Sequence, residues 1–112
     1  DREMALVAIG RGNDGVAQAL GEVRAVADPD SAFADFAIVV ASGIKGRGLG
    51  QVLLQSLVSY CRNCGIGELR GETLDGNLRM QHLARRLGFT VTTGADRGTM
   101  DLRLALNPPA KR

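Results

Sequence analysis

The chain has 112 residues, 45% of them apolar, and a formal net charge of +2. That is enough for one domain with a core that needs no metal or disulfide staple. Aromatics make up only 4%, the basic residues are scattered apart from Arg85-Arg86 and Lys111-Arg112, and no apolar run approaches the roughly 18 residues of a membrane span; neither nucleic acid nor a bilayer is expected as the main partner. The start, Asp1-Arg2-Glu3, lacks a basic-then-apolar leader, and a cytoplasmic location is the expectation.

In chain order, Met4–Ile9 is a short apolar run entering a Gly-Asn-Asp turn, and Ala19–Ala27 follows with Leu20, Val23 and Val26, closed by Asp28-Pro29-Asp30. These two segments predict an antiparallel hairpin. Phe33–Val40 is nearly all apolar and reads as a central strand covered on both faces, with Asp35 its single charge. Leu49–Cys64 predicts the longest helix, with Leu53, Leu57, Tyr60, Cys61 and Cys64 on one buried face and Gly65 ending it. Glu68–Thr73 predicts a strand, Leu78–Leu87 a second helix after Asp75-Gly76-Asn77, and Phe89–Thr93 and Thr99–Leu106 two closing strands.

The strand–helix–strand unit through Glu68–Thr73 requires a parallel pair, whereas the first half is antiparallel. The expected class is therefore α/β (α+β): a mixed, mostly antiparallel sheet with one parallel βαβ crossover and helices on its faces. Residues 1–107 form the domain and 108–112, after Asn107-Pro108, a tail. Cys61 and Cys64 are spaced like half a zinc site, but there is no second pair and His82 is the only histidine, so no metal is expected. Both thiols then serve as small apolar residues at the helix end.

The most informative stretch is Gly43-Ile44-Lys45-Gly46-Arg47-Gly48-Leu49-Gly50-Gln51, between an apolar strand and a helix. A helix start offers unpaired N–H groups and partial positive charge, both suited to a phosphate. The glycines allow close approach, and Lys45 and Arg47 add charge. The spacing is not that of a Walker A loop, which needs Gly-Lys-Ser/Thr, nor of the dinucleotide pattern, which needs two residues between its last two glycines. Glycines that merely make a tight turn are the plain alternative.

The spacing resembles the coenzyme A loop of the GNAT superfamily, Gln/Arg-x-x-Gly-x-Gly/Ala, with Lys45, Gly48 and Gly50 in the three places. A second family pattern follows as Asn77, then a helix, then Leu87-Gly88-Phe89. The resemblance implies that acetyl-CoA is the acyl donor, with its pyrophosphate on Lys45, Gly46, Arg47, Gly48, Leu49, Gly50 and Gln51. It also implies that pantetheine lies along Ile38, Val39 and Val40, where Phe33–Val40 splays from Glu68–Thr73, and that Asn77 either contacts the cofactor or caps its helix. More narrowly, Asp1-Arg2-Glu3-Met4-Ala5, Phe33-Ala34-Asp35-Phe36-Ala37 and Leu83-Ala84-Arg85-Arg86-Leu87-Gly88-Phe89 resemble bacterial protein lysine acetyltransferase domains. That likeness implies a protein lysine acceptor, acyl-CoA synthetases among the targets, and a larger multidomain polypeptide. A complete domain of this family opens with a strand and two helices before the segment matching Met4, which this chain is expected to lack.

Transfer to an amine needs a deprotonated nitrogen, and a lysine has a reference pKa of about 10.4. Asp35, expected to be buried beside the cofactor, is the candidate base, in a place where lysine-acetylating relatives carry Glu. Its alternative is a strand residue facing solvent. Glu72 is a second-choice acid or base, His82 is read as surface or packing, and Ala84 stands where many relatives have a Tyr that protonates the thiolate. Ala84 and the Asp at position 35 keep open a different reading, a non-catalytic acyl-CoA-binding regulatory module.

Overall fold

The computed structural model describes residues 3–11, 14–40 and 48–107. The described elements are β1 (Glu3–Arg11), β2 (Ala17–Ala27), β3 (Phe33–Val40), α1 (Leu49–Asn63), β4 (Glu68–Leu74), α2 (Leu78–Arg86), β5 (Thr90–Thr93) and β6 (Thr99–Ala105). They form one six-stranded sheet in the order β1-β2-β3-β4-β6-β5. β3 and β4 are parallel and every other neighbouring pair is antiparallel. β4 and β5 each run opposite to β6, so β3, β4 and β5 point the same way. The two helices return the chain between them, as parallel strands require.

The burial alternation shows which face the helices cover. Val23, Ala25 and Ala27 of β2, Ala34 and Phe36 of β3, Leu69 of β4 and Leu102 of β6 are buried with Leu53, Leu54, Leu57, Val58 and Cys61 of α1 and Leu83 and Ala84 of α2. All belong to one cluster, so both helices pack on the same face. Leu54, Leu57 and Leu69 are each 0% exposed. At these sites a truncation to Ala costs about 2–5 kcal/mol.

The other sheet face is open among the described residues. Val7, Val26 and Val39 are exposed there, and Asp35 and Ala37 share it. This corrects the expectation that β3 is covered on both faces: its apolar run is continuous in sequence, but only Ala34 and Phe36 are buried. The buried stripe of α1 is also rotated from expectation. Tyr60 and Cys64 are exposed, and Leu54 and Val58 take their place beside Leu53, Leu57 and Cys61. The period of 3.6 fits either set; packing on a flat sheet selects the broader stripe.

Candidate functional site

The β3–β4 ladder is short. Phe33, Ala34 and Asp35 pair with Glu68, Leu69 and Arg70, and the pairing stops there. β2 continues to pair with β3 as far as Val40, and β6 with β4 as far as Leu74. Beyond Asp35 and Arg70 the two parallel strands therefore part, and the edges facing one another carry backbone groups with no ladder partner. Ile38, Val39 and Val40 lie on the β3 side of this gap. An extended ligand can add there by strand-like hydrogen bonds, and a backbone N–H can polarise a carbonyl.

α1 begins beside the end of β3. A Cβ on Gly50 would lie 3.9 Å from Val40 Cγ2, and 3.5 Å from Leu83 Cδ2 of α2. Gly48 is the N-cap, at φ 78° and ψ 4°, a left-handed conformation that favours glycine. Among the described residues no side chain caps this end, and the first turn holds no acidic residue. The Val52 N–H donates to Gly48 O at 3.1 Å, the first bond of the helix. The N–H groups of Leu49, Gly50 and Gln51 precede it and have no intrahelical acceptor. With the helix dipole, they make an anion site. Lys45, Gly46 and Arg47 lie outside the described residues.

Asn77 caps α2: its Oδ1 accepts from the Met80 N–H at 3.1 Å. The same turn is held by Gln81, the one buried polar side chain among the described residues. Its Nε2 donates to Asp75 O at 2.9 Å and Leu74 O at 3.3 Å.

On the open face, where β3 and β4 separate, a cavity of about 370 Å³ is lined by Asp35, Arg70, Gly71, Glu72, Asp101 and Arg103 among others. It brings together the two carboxylates singled out from the sequence. Asp35 is exposed, correcting the expectation that it is buried; strand alternation puts it opposite Ala34 and Phe36. Arg70 is its register partner but is held elsewhere. Arg70 Nε donates to Glu68 Oε1 at 2.6 Å, and its guanidinium stacks 3.9 Å above the Phe33 ring. Among the described residues Asp35 has no ion pair. Asp101 and Arg103 are further cavity residues, beyond those expected from the sequence. They reach the cavity because β6 pairs with β4, opposing Glu72 to Asp101 and Arg70 to Arg103. The polar alternation within Thr99–Leu106 puts both on one face of β6 but does not show which strand they oppose.

His82 is exposed on α2 and lines neither this cavity nor the α1 start. Ala84 is 0% exposed, packed in the core. Among the described residues no three His, Cys, Asp or Glu side chains are grouped to hold a metal. No helix among them is long and apolar enough to cross a membrane.

Known proteins resemble this chain in sequence and in fold. A streptothricin acetyltransferase of Streptomyces lavendulae is 38% identical over 52 residues, which is 46% of this chain and 28% of that protein. A putative acetyltransferase of Salmonella typhimurium, solved with its cofactor acetyl-CoA, superposes with a TM-score of 0.72 at 24% identity, over 90% of this chain and 65% of that one. A nourseothricin acetyltransferase does so with a TM-score of 0.70 at 26% identity, over 96% and 66%. The chain thus spans about two thirds of the solved structures' length and a smaller part of the curated relative. The model of the acetyltransferase (GNAT) family matches residues 3–89, most of the sequence. The chain belongs to the acetyltransferase (GNAT) family.

Proposed function

We propose that this chain forms the donor-binding part of an N-acetyltransferase that moves an acetyl group from acetyl-CoA to a primary amine. The observation that carries the reading is the parallel β3–β4 pair that parts after three residues, beside a helix start with unpaired N–H groups and no acidic residue. Strand edges of this kind suit an amide-rich, extended pantetheine arm, and the helix start suits a pyrophosphate. Leu49, Gly50 and Gln51 would hold the phosphates through their backbone, with Lys45 and Arg47 supplying charge. Ile38, Val39 and Val40 would hold the arm, and one of their N–H groups would polarise the thioester carbonyl.

The chemistry left to side chains is small. The acceptor nitrogen attacks the thioester carbonyl carbon, the C–S bond breaks, and the nitrogen gives up a proton. Asp35 sits at the parting point, exposed and without an ion pair among the described residues, and receives that proton directly or through a water. The finer reading is a protein lysine as acceptor, acyl-CoA synthetases included, within a longer multidomain polypeptide. It is supported by the open face on which Asp35 lies, which leaves a protruding side chain free access.

The streptothricin acetyltransferase relative favours a second reading, a small-molecule amine. Incubating the protein with acetyl-CoA and, in turn, lysine peptides, acyl-CoA synthetases and streptothricin, then measuring mass gain, separates the two. Acetyl-CoA binding in calorimetry with no acetylated amine in any arm would leave a non-catalytic acyl-CoA-binding module.

A further inference from the structure

The outer surface of the helical layer carries charge of one sign. α1 and α2 contain Arg62, Arg79, Arg85 and Arg86 and no Asp or Glu. All four arginines are exposed, and among the described residues none is in an ion pair. The sheet's open face, by contrast, mixes both signs, with Glu22, Asp35, Glu68, Glu72 and Asp101 beside Arg24, Arg70 and Arg103. Helix stability alone would intersperse acids at four-residue spacing and place them in the first turn. The dipole accounts for Arg62, Arg85 and Arg86 in the last turns. It does not account for Arg79 in the first turn of α2, or for the lack of any acid across both helices.

A groove opens on this layer, with Arg62 in its lining. A trough of about 680 Å³ is lined by Gln55, Ser56, Val58, Ser59, Arg62 and Leu87. Gln55, Ser59 and Arg62 follow one another at four and three residues, so they form a single wall about 10 Å long. On α2, Leu83 faces α1, close to Gly50. Arg79 and Arg86 stand four residues before and three after Leu83, on the same flank. The trough therefore has Arg62 in its lining, Arg86 adjoining its lining residue Leu87, an amide and hydroxyls along one wall, and Val58 and Leu87 as apolar floor.

We propose that this groove docks an extended acidic peptide segment of a partner protein. Guanidinium forks match carboxylates in bidentate geometry. The Gln55 amide and Ser59 hydroxyl can pair with peptide N–H and C=O groups. The wall is as long as about three extended residues. A nucleic-acid strand fits less well, because no aromatic side chain lines the groove for base stacking. The site lies apart from the β3–β4 gap, so docking and acyl transfer are separable.

Fluorescence anisotropy of the whole protein, saturated with acetyl-CoA, tests this with a short fluorescein-labelled Glu-Gly peptide. Saturable binding that weakens with salt is expected, and an oligo-dT strand and a Lys-Gly peptide should bind more weakly. Arg62→Ala with Arg86→Ala should weaken peptide binding at least about tenfold. Ser59→Glu, which keeps both arginines, should weaken it similarly, and Arg24→Ala on the opposite face should leave it unchanged. The proposal is overturned by no saturable binding to the folded protein or by equal binding in both groove variants. It also fails if oligo-dT binds as tightly as the peptide, or if the peptide binds only when acetyl-CoA is left out.

Discussion

The ring of Phe36 occupies the space that a side chain on Gly71 would need. A Cβ on Gly71 would lie 2.5 Å from Phe36 Cε1 and 2.6 Å from Cζ, distances no real Cβ adopts. Phe36 in turn meets Phe89 with ring centroids 5.7 Å apart and planes tilted by 58°. Phe36 and Gly71 sit immediately beyond Asp35 and Arg70, the last paired positions of β3 and β4. The ring thus fills the inner side of the gap where the strands part, and ties β3 to the chain entering β5.

Gly71→Ala should therefore destabilise the fold, although Ala suits a strand better than Gly. Overpacking of this size costs about 1–3 kcal/mol, and urea unfolding should show it as a lower midpoint at unchanged slope. Adding Phe36→Leu should recover part of the loss, and a double-mutant cycle with no coupling between the two would show that they do not share this space.

Cys61 makes stability depend on pH in the alkaline range. Its thiol is 0% exposed and donates to the Met4 sulfur at 3.6 Å. Burial, aided by nearby Cys64, pushes its pKa from 9.0 up to about 11. Below pH 9 the thiol is neutral in both folded and unfolded chains and contributes no slope. As pH rises from about 9 to about 11 the unfolded chain loses the proton first, so stability falls across that window, by roughly 1–3 kcal/mol in total. Denaturation midpoints measured across it should fall more steeply for the native protein than for Cys61→Ala, and parallel curves would rule this out.

Much of this molecule is legible in its sequence, because its elements obey the simplest rules. Phe33–Val40 is bounded by turn residues, and α1 runs from a glycine cap to Gly65. The parallel crossover follows from strand, helix and strand in succession. What is not legible is which face of β3 is covered. An apolar run is the same whether one face or both are buried, and Asp35 alone marks the open side. The stripe of α1 is ambiguous for a similar reason, since Tyr60 and Cys64 satisfy the helical period as well as Leu54 and Val58 do. Asp101 and Arg103 enter the cavity through the β4–β6 register, which pairs residues about thirty positions apart and has no local signature.

The anion site at the start of α1 should depend on the backbone of Gly48. A Cβ there would meet nothing within 4 Å, so its glycine is required by conformation and not by space. Gly48→Val forces a β-branched residue to φ 78° or moves the cap, at a cost of about 1–3 kcal/mol. Calorimetry should show acetyl-CoA affinity lost or strongly reduced while circular dichroism reports a retained fold. Gly48→Asn, which tolerates the left-handed conformation, should keep much of the affinity. Unchanged binding by a folded Val variant would remove this end of the helix from the site.

Asp35 is the proposed base, and its variants test that role. It is the last β3 residue paired with β4, it faces the open side, and Glu72 lines the same cavity. If it receives the amine proton, Asp35→Asn should lower turnover by roughly 10²–10⁴-fold. Acetyl-CoA affinity should barely change, because backbone groups of β3 and α1 are proposed to hold the cofactor. The loss should shrink as pH rises toward the reference lysine pKa of about 10.4, where more of the acceptor is already neutral. Asp35→Glu extends the carboxylate by one methylene toward the acceptor and should match or exceed the native rate if a water now bridges the distance. Glu72→Gln tests the neighbour, and a loss larger than that of Asp35→Asn would move the base to β4. Equal rates for the native, Asn and Glu forms at every pH would show that the amine loses its proton without Asp35.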